Sequence, residues 1–342
     1  MNLSSSNSSQ KVLLSVVIIG RNEGVRLRCC LESVARMERR GFETEVIYVD
    51  SGSNDESVAL ARRMGARVIA LKPKRPSAAL ARNAGWKAAH GSFILFLDGD
   101  TVLDPAFVAE SLPAFVSPTV AIVWGHRREM QTRRSLYNRA LDLDWIYAPG
   151  PAEFCGGDAL FRTDALRITG GFDKTLIAGE EPELCRRVLA LGLEILHVDR
   201  PMTGHDLGMT KWSQYWKRAV RAGHAYAEVS ERFAGTEDPF WSEEVRRNRI
   251  RAVMLQGLMA GTLLGALVLW TLWPVELVAS LLALLVARTA WKARWKSHNW
   301  LTLLLYGVHS HLQQIPIFWG QVEYHLHRRK GRRSMLLEYK KP

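Results

Sequence analysis

From Ala252 to Val286 the chain is almost uninterrupted apolar, broken only by Trp273-Pro274-Val275-Glu276. Each half approaches the ~20 residues that a helix needs to cross a bilayer, so the run predicts a tight helical hairpin. Arginine crowds one outer end (Arg246 to Arg251). Arg288, Lys292, Arg294 and Lys296 crowd the other, and the central turn carries no cation. Excess Lys and Arg marks cytoplasmic flanks, which puts both ends of the hairpin in the cytosol, together with the domain that precedes it. The competing reading is a buried helix pair in a soluble protein, but few soluble helices are apolar on all faces. A third apolar stretch, Trp300 to Gln321, carries His309, His311, Gln313, Gln314 and Pro316. That content favours an interfacial amphipathic helix over a third span.

The formal net charge of +12 would suit nucleic acid, an anionic membrane surface or phosphorylated substrates. Position discriminates among them. The Lys and Arg excess lies at 245 to 251, 288 to 296 and 328 to 341, all bordering apolar stretches, where a nucleic-acid binder would gather it on a domain face. Membrane lipids, and not nucleic acid, are the expected partners. Cys29, Cys30, Cys155 and Cys185 have neither zinc-site nor disulfide-framework spacing and suit a reducing compartment. Met1 to Gln10 is Ser/Asn-rich without a basic region, and Leu13 to Ile19 is too short for a signal segment. The expected location is therefore the inner, cytoplasmic membrane, with the domain ahead of the hairpin facing the cytosol.

Before the hairpin, apolar strands alternate with helices. Val12 to Ile19 is rich in β-branched residues and bounded by Gly20; Glu45 to Val49 repeats the pattern before Asp50-Ser51-Gly52-Ser53. Helical spacing covers Val25 to Arg39, Glu56 to Met64 and Ala78 to Ala89. Further strands are expected at Ala66 to Leu71 and at Phe93 to Leu97, the latter ending in Asp98-Gly99-Asp100. Such alternation implies an α/β fold with a doubly wound, mixed but mostly parallel sheet and helices on both faces, in which ligands sit at the carboxyl ends of strands. Asp50 and Asp98 both occupy such ends.

The pair Asp98 and Asp100, emerging where the backbone turns, suits a hard divalent cation, Mn²⁺ or Mg²⁺, that completes its shell with phosphate oxygens and water. Asp50 is placed to meet a nucleoside or simply to cap the following helix. Arg21 and Glu23 end the first strand and offer polar groups to a nucleoside, and Arg82 offers a guanidinium to a diphosphate.

Four motifs then stand in order: Ser15-Val16-Val17-Ile18-Ile19 with Arg21-Asn22-Glu23, Val49-Asp50-Ser51-Gly52-Ser53, Ala81-Arg82-Asn83-Ala84-Gly85 and Phe96-Leu97-Asp98-Gly99-Asp100. In this the chain resembles the family 2 glycosyltransferases of the membrane-anchored bacterial type. The likeness runs from about Leu13 to Arg221, through Gly156-Gly157-Asp158, Gly170-Gly171-Phe172-Asp173 and Gly179-Glu180-Glu181-Pro182-Glu183-Leu184. It implies a GT-A fold and an inverting transfer from a nucleotide-sugar, with a divalent metal and a carboxylate general base. In the family the last motif is usually Glu-Asp with the Asp as base, and here Glu181 holds that place with one methylene more. Glu180 and Glu183 are its rivals, and all three also suit the acidic first turn of a helix. His205 could meet the metal or a phosphate, or pack a loop. Gly157, Asp158, Trp212, Trp216 and Arg218 are the expected acceptor side. Trp212 and Trp216 also suit interfacial anchoring. Gln214-Tyr215-Trp216-Lys217-Arg218 is similar to the QxxRW helix of processive members without matching it.

The expected organisation is a flexible tail (1–12), a GT-A domain (13–235), a basic connector (236–251), a transmembrane hairpin (252–290) and an interfacial helix with a basic tail (291–342). A UDP-sugar is the expected donor, although GDP- and dTDP-sugars fit the same motifs. A lipid-linked or glycan acceptor of the cell envelope completes the reading. Its rivals are a polyprenyl-phosphate sugar synthase, which needs no general base, and a non-catalytic nucleotide-sugar-binding membrane protein.

Overall fold

β-Branched and aromatic residues place nine strands in one sheet, and a computed structural model describes them and their helices over residues 12–331. Nearly all of the expected tail at 1–12, and the basic tail beyond 331, lie outside the described residues. The first part of the chain runs β1 (Val12–Gly20), α1 (Val25–Ala35), β2 (Phe42–Asp50), α2 (Ser57–Arg63), β3 (Arg67–Ala70), α3 (Ala78–Ala88), β4 (Phe93–Asp98), β5 (Thr101–Leu103) and α4 (Phe107–Ser111). It continues through β6 (Val120–Glu129), α5 (Leu136–Asp142), β7 (Gly150–Pro151), β8 (Ala159–Arg162), α6 (Thr163–Thr169), α7 (Glu180–Ala190) and β9 (Glu194–His205). The remainder is helical: α8 (Trp212–Arg232), α9 (Ser242–Leu269), α10 (Trp273–Lys292), α11 (Trp300–Leu312) and α12 (Gln314–Arg329).

The chain forms two compact units. The first comprises Met1–His126, Ala148–Asp173 and Leu184–Thr203; the second comprises Arg127–Tyr147, Lys174–Glu183 and Gly204–Pro342.

In the first unit β3, β2, β1 and β4 pair in parallel, as the alternation of strands and helices predicts. β8 lies antiparallel to β4 and to β6, which makes the sheet mixed, and β9 and β5 follow in the order. Side chains of a strand point alternately to opposite faces. Val16, Val17 and Ile18 are each 0% exposed, so both faces of β1 are covered. Helix α3 comes close to the sheet because Gly85 faces it: a Cβ built there would stand 2.2 Å from Val17 Cγ1. The register sets Gly20 beside Asp50 and Ile19 beside Asp98, so the carboxyl ends of three strands share one edge.

In the second unit α8 is the spine. Gly223 and Gly320 let α8 and α12 touch backbone to backbone, since a Cβ on Gly223 would meet Ile317 O at 1.9 Å and one on Gly320 would meet Val220 O at 2.0 Å. Side-chain amides tie α9 to α12: Asn248 Nδ2 donates to Gln314 Oε1 at 2.7 Å, and Gln321 Nε2 donates to Asn248 Oδ1 at 2.9 Å. Helices α9 and α10 are long and apolar enough to cross a membrane, and 6% of the apolar window of each is buried. The turn between them falls at residues 270–272, ahead of the Trp273-Pro274 expected for it, because Pro274 suits the first turn of α10. The stretch expected as a connector at 236–251 is helical from Ser242, where Arg246 pairs with Glu243 at 2.9 Å.

Residues 300–321, expected as a single helix, form two. Pro316 has no N–H to continue α11, and α12 starts at Gln314, where a proline in the first turn is tolerated. Helix α11 packs against α10, with Gly307 facing Val286 O, and its Leu303 is buried with Leu143, Ala290 and Ala293. His309 on α11 joins a polar chain: Tyr215 Oη lies 2.8 Å from His309 Nδ1, and His309 Nε2 lies 2.9 Å from Asp144 Oδ2. The two ring nitrogens of His309 thus link the phenol to the carboxylate. Burial pushes the Asp144 carboxyl up, but His309, Arg218 and Lys296 together hold it below its ordinary value.

Two predictions follow from this packing. Gly85→Ala drives a methyl into Val17 and is expected to lower stability by about 1–3 kcal/mol, read from the denaturation midpoint. Asp144 binds its proton less readily when folded than when unfolded. Its stabilisation is therefore complete above the unfolded carboxyl value of ~4 and is lost as pH falls through the native one. Asp144→Asn should flatten the melting temperature between about pH 3 and 5 relative to wild type.

Candidate active site

Asp98 is the last residue of β4, and its environment is built from buried polar groups of the first unit. Its main-chain N–H donates to Asp158 Oδ1 at 2.9 Å, and Asp158 Oδ2 accepts from Thr203 Oγ1 at 2.8 Å. Thr101 Oγ1 donates to the Asp98 carbonyl at 2.8 Å. Arg82 Nη2 donates to Asp98 Oδ1 at 2.9 Å, with the guanidinium 5.6 Å from the centre of the Phe172 ring.

These contacts place two of the expected site residues. Arg82, taken as a diphosphate ligand, is 2% exposed and is directed to Asp98, so it aims the carboxylate from below. Asp158, taken as an acceptor contact, is 0% exposed with both oxygens hydrogen-bonded, so it fixes the strand end. Gly157, beside it, is buried too.

Gly99 keeps the two carboxylates close to the chain: a Cβ there would lie 3.1 Å from Glu23 Cγ and 3.2 Å from Ile19 O. Asp100 is buried. Burial pushes the Cys30 thiol well up, and Asp158, Asp100, Asp98 and Glu23 add to the rise. Four carboxylates thus act on one buried point. The oxygen donors of Asp98 and Asp100 fit a hard divalent cation, which would relieve their mutual repulsion.

Asp50 has a shaping role at the neighbouring strand end. Its Oδ2 accepts from Gly52 N at 3.0 Å and from Ser53 N at 2.8 Å, while Oδ1 accepts from the Tyr48 hydroxyl at 3.2 Å and from Ser53 Oγ. The loop so formed is tied to the one after β1: Asn22 N donates to Ser53 Oγ at 2.8 Å and Asn54 N donates to Asn22 Oδ1 at 2.9 Å. Asn22 accepts a positive φ of 56° to do this, a conformation Asn tolerates better than most residues. Arg21 is exposed on that loop, and Glu23 pairs with Arg26 at 2.9 Å.

In the second unit, Glu180 and Glu181 open α7. Glu180 and Glu183 are buried and Glu181 is half-buried. The segment leading to them is held on α8. Arg221 Nη2 donates to Ile177 O at 3.3 Å, and Arg232 Nη2 to Thr175 Oγ1 at 2.7 Å. Gly179, at φ +83°, leaves room for Val229, which a Cβ there would approach to 2.9 Å.

His205 ends β9, is buried, and meets the Trp145 ring edge-on at 5.0 Å. The chain after it is held by Glu129 Oε2, which accepts from Leu207 N at 2.8 Å. Burial raises the Glu129 carboxyl above its ordinary range against the hydrogen bonds of Leu207 and Gln131.

Trp212 and Trp216 pack together, with ring centres 5.7 Å apart, and Arg218 does not share their face. Trp212 stacks on Tyr215 at 5.2 Å, and Trp216 lines a groove with Trp319, Val322 and Leu326 of α12. Arg218 instead faces Asp144, since residues two apart on a helix point to nearly opposite sides. Gln214 caps its own helix, its Oε1 accepting from Thr210 N and Lys211 N, both at 2.9 Å. Tyr48, Glu129 and Asp144 escaped the sequence reading. Tyr48 alone had a signal there, a polar tip two residues before Asp50 and on the same strand face.

Comparison with known proteins bears on this geometry. Residues 15–169 match the profile described as Glycosyl transferase family 2, and residues 93–310 match Glycosyl transferase family group 2. A "Pre-mycofactocin glycosyltransferase" of Mycobacterium tuberculosis is 29% identical over 56% of this chain, which spans 42% of that relative's length. "Glycosyltransferase AglE" of Haloferax volcanii is 31% identical over 63% of this chain and 73% of its own. Among solved structures, the mannosyltransferase PcManGT from Pyrobaculum calidifontis, in complex with GDP-Man and Mn²⁺, superposes with a TM-score of 0.61 at 16% identity, covering 92% of this chain and 87% of that one. S. aureus TarS 1–349 with UDP-GlcNAc gives a TM-score of 0.51 at 15% identity, over 93% and 92% of the two chains.

Asp158→Ala leaves the Asp98 N–H and Thr203 without their buried acceptor. The expected cost is about 1–3 kcal/mol per unsatisfied group, measured by thermal or chemical denaturation.

Proposed function

We propose, because this chain belongs to glycosyltransferase family 2, that it moves a sugar from a nucleotide-sugar to a lipid-linked acceptor of the cell envelope, by inverting displacement at the cytosolic face of the inner membrane. The observation that carries the reading is the Asp98-Gly99-Asp100 turn, whose first carboxylate is aimed by Arg82 and whose backbone is fixed by Asp158. A UDP-sugar is the first candidate donor. UDP-GlcNAc in TarS supports it, and GDP-Man in PcManGT keeps GDP-sugars in the panel.

Asp98 and Asp100 would hold Mn²⁺ or Mg²⁺; the bound ion would neutralise charge growing on the departing diphosphate. The loops after β1 and β2, carrying Arg21, Glu23 and Asp50, would seat the nucleoside. Glu181 is the proposed general base, being the more open carboxylate of the first turn of α7, with Glu180 buried behind it. The apolar α9 and α10 would confine the enzyme to the bilayer that also carries its acceptor, which raises the acceptor's effective concentration.

The test is release of free nucleoside diphosphate by detergent-solubilised protein, across UDP-, GDP- and dTDP-sugars with membrane lipid extract. Turnover with one donor, abolished by EDTA and by Asp100→Ala, is the expected result. Glu181→Gln should keep nucleotide binding and lose about 10²–10⁴ in turnover, the span of general-base catalysis. Full turnover by that variant on a polyprenyl phosphate would point instead to a sugar-phosphate synthase, whose acceptor oxygen is already ionised. Absence of nucleotide binding across the panel would sink the reading.

A further inference from the structure

Asp144, in the short helical turn after α5, is the centre of a half-buried polar cluster in the second unit that the reaction above does not use. His309 occupies one of its oxygens at 2.9 Å. Lys296, just beyond the C-terminus of α10, donates to Leu143 O at 2.8 Å and lies 5.2 Å from the centre of the Tyr306 ring and 6.0 Å from that of Tyr147. Arg218 of α8 acts on the same carboxylate, as do the Tyr226 and Tyr306 hydroxyls. Two cations therefore face one carboxylate that already has a partner. Burial holds the Lys296 ammonium below its ordinary range, and Asp144 offsets this only in part. A half-buried cation on α10's C-terminal side, with Tyr147 and Tyr306 beside it and one carboxylate shared with Arg218, is suited to a further anion.

Two placements narrow the anion's identity. Lys296 adjoins Trp291, Trp295 and Trp300, all exposed, at the end of a helix apolar enough to cross a membrane, where an aromatic belt marks headgroup level. Arg218 lies three residues, ~4.5 Å, before Arg221 on α8, and Arg221 holds the segment that leads to Glu180 and Glu181. An anion at Arg218 is thus at headgroup depth and beside the chain that presents the proposed base.

The geometry points to Arg218 and Lys296, framed by Tyr147, Tyr226 and Tyr306, as the site that holds the phosphate of the lipid-linked acceptor. This rests on the transferase reading for the word acceptor; the binding site itself is testable without turnover.

The experiment measures binding to the full-length protein in detergent, without donor, using farnesyl phosphate, the neutral alcohol farnesol and inorganic phosphate as probes. Farnesyl phosphate should bind at least tenfold more tightly than either control. Lys296→Ala and Arg218→Ala should each weaken farnesyl phosphate about tenfold and leave farnesol unchanged, with Lys296→Arg restoring most of the loss. Melting temperature and nucleoside diphosphate binding, read on the same samples, report folding and the donor site separately. Equal affinity for farnesol, equal affinity for inorganic phosphate, or unchanged affinity in both alanine variants while the protein remains folded would each overturn the assignment.

Discussion

Arg82 is a buried guanidinium that pairs with Asp98 at 2.9 Å. Removing such a charge from water is costly unless it meets an opposite charge in good geometry. Once α3 packs on the sheet through Gly85, the arginine is committed to the end of β4, and the carboxylate there is oriented before any ligand arrives. Asp158 completes the arrangement from the main-chain side, so the turn that bears Asp98 and Asp100 is supported from two directions. Rigid support of this kind is what a cation site needs, because its ligands must converge without paying for order at each binding event.

The second unit solves a different problem. Its helices α9 and α10 leave most of their apolar surface uncovered, and the packing that holds them lies at their polar ends. Glycine allows α8 and α12 to touch along their backbones, and the Asn248, Gln314 and Gln321 amides satisfy one another where α9 joins them. The chain from Tyr215 through His309 to Asp144 performs the same office for α11. Buried polar groups so paired specify a single packing arrangement, which general apolar contact would leave loose.

The strands, the helices between them and the two apolar helices were legible in the sequence, because each depends on a local pattern. Val12 to Ile19 reads as a buried strand by itself, and Ala252 to Val286 reads as lipid-facing helix by length and composition. The motif order also carried the family. Roles were less legible than positions: Arg82 and Asp158 lie in the expected motifs, yet both turn inward to Asp98. Trp216 and Arg218, two residues apart in the sequence and grouped there by function, separate onto different faces of α8.

What the sequence determined by itself was therefore the class of fold, the family and the carboxylates at the strand ends, since periodicity and motif spacing are properties of neighbouring residues. Tertiary structure alone decided which polar groups pair with one another. Asp98 meets Arg82 across 16 residues and Asp144 meets His309 across 165. A buried polar group must find its partner wherever the fold brings one, and nothing in the local sequence of either residue announces that choice.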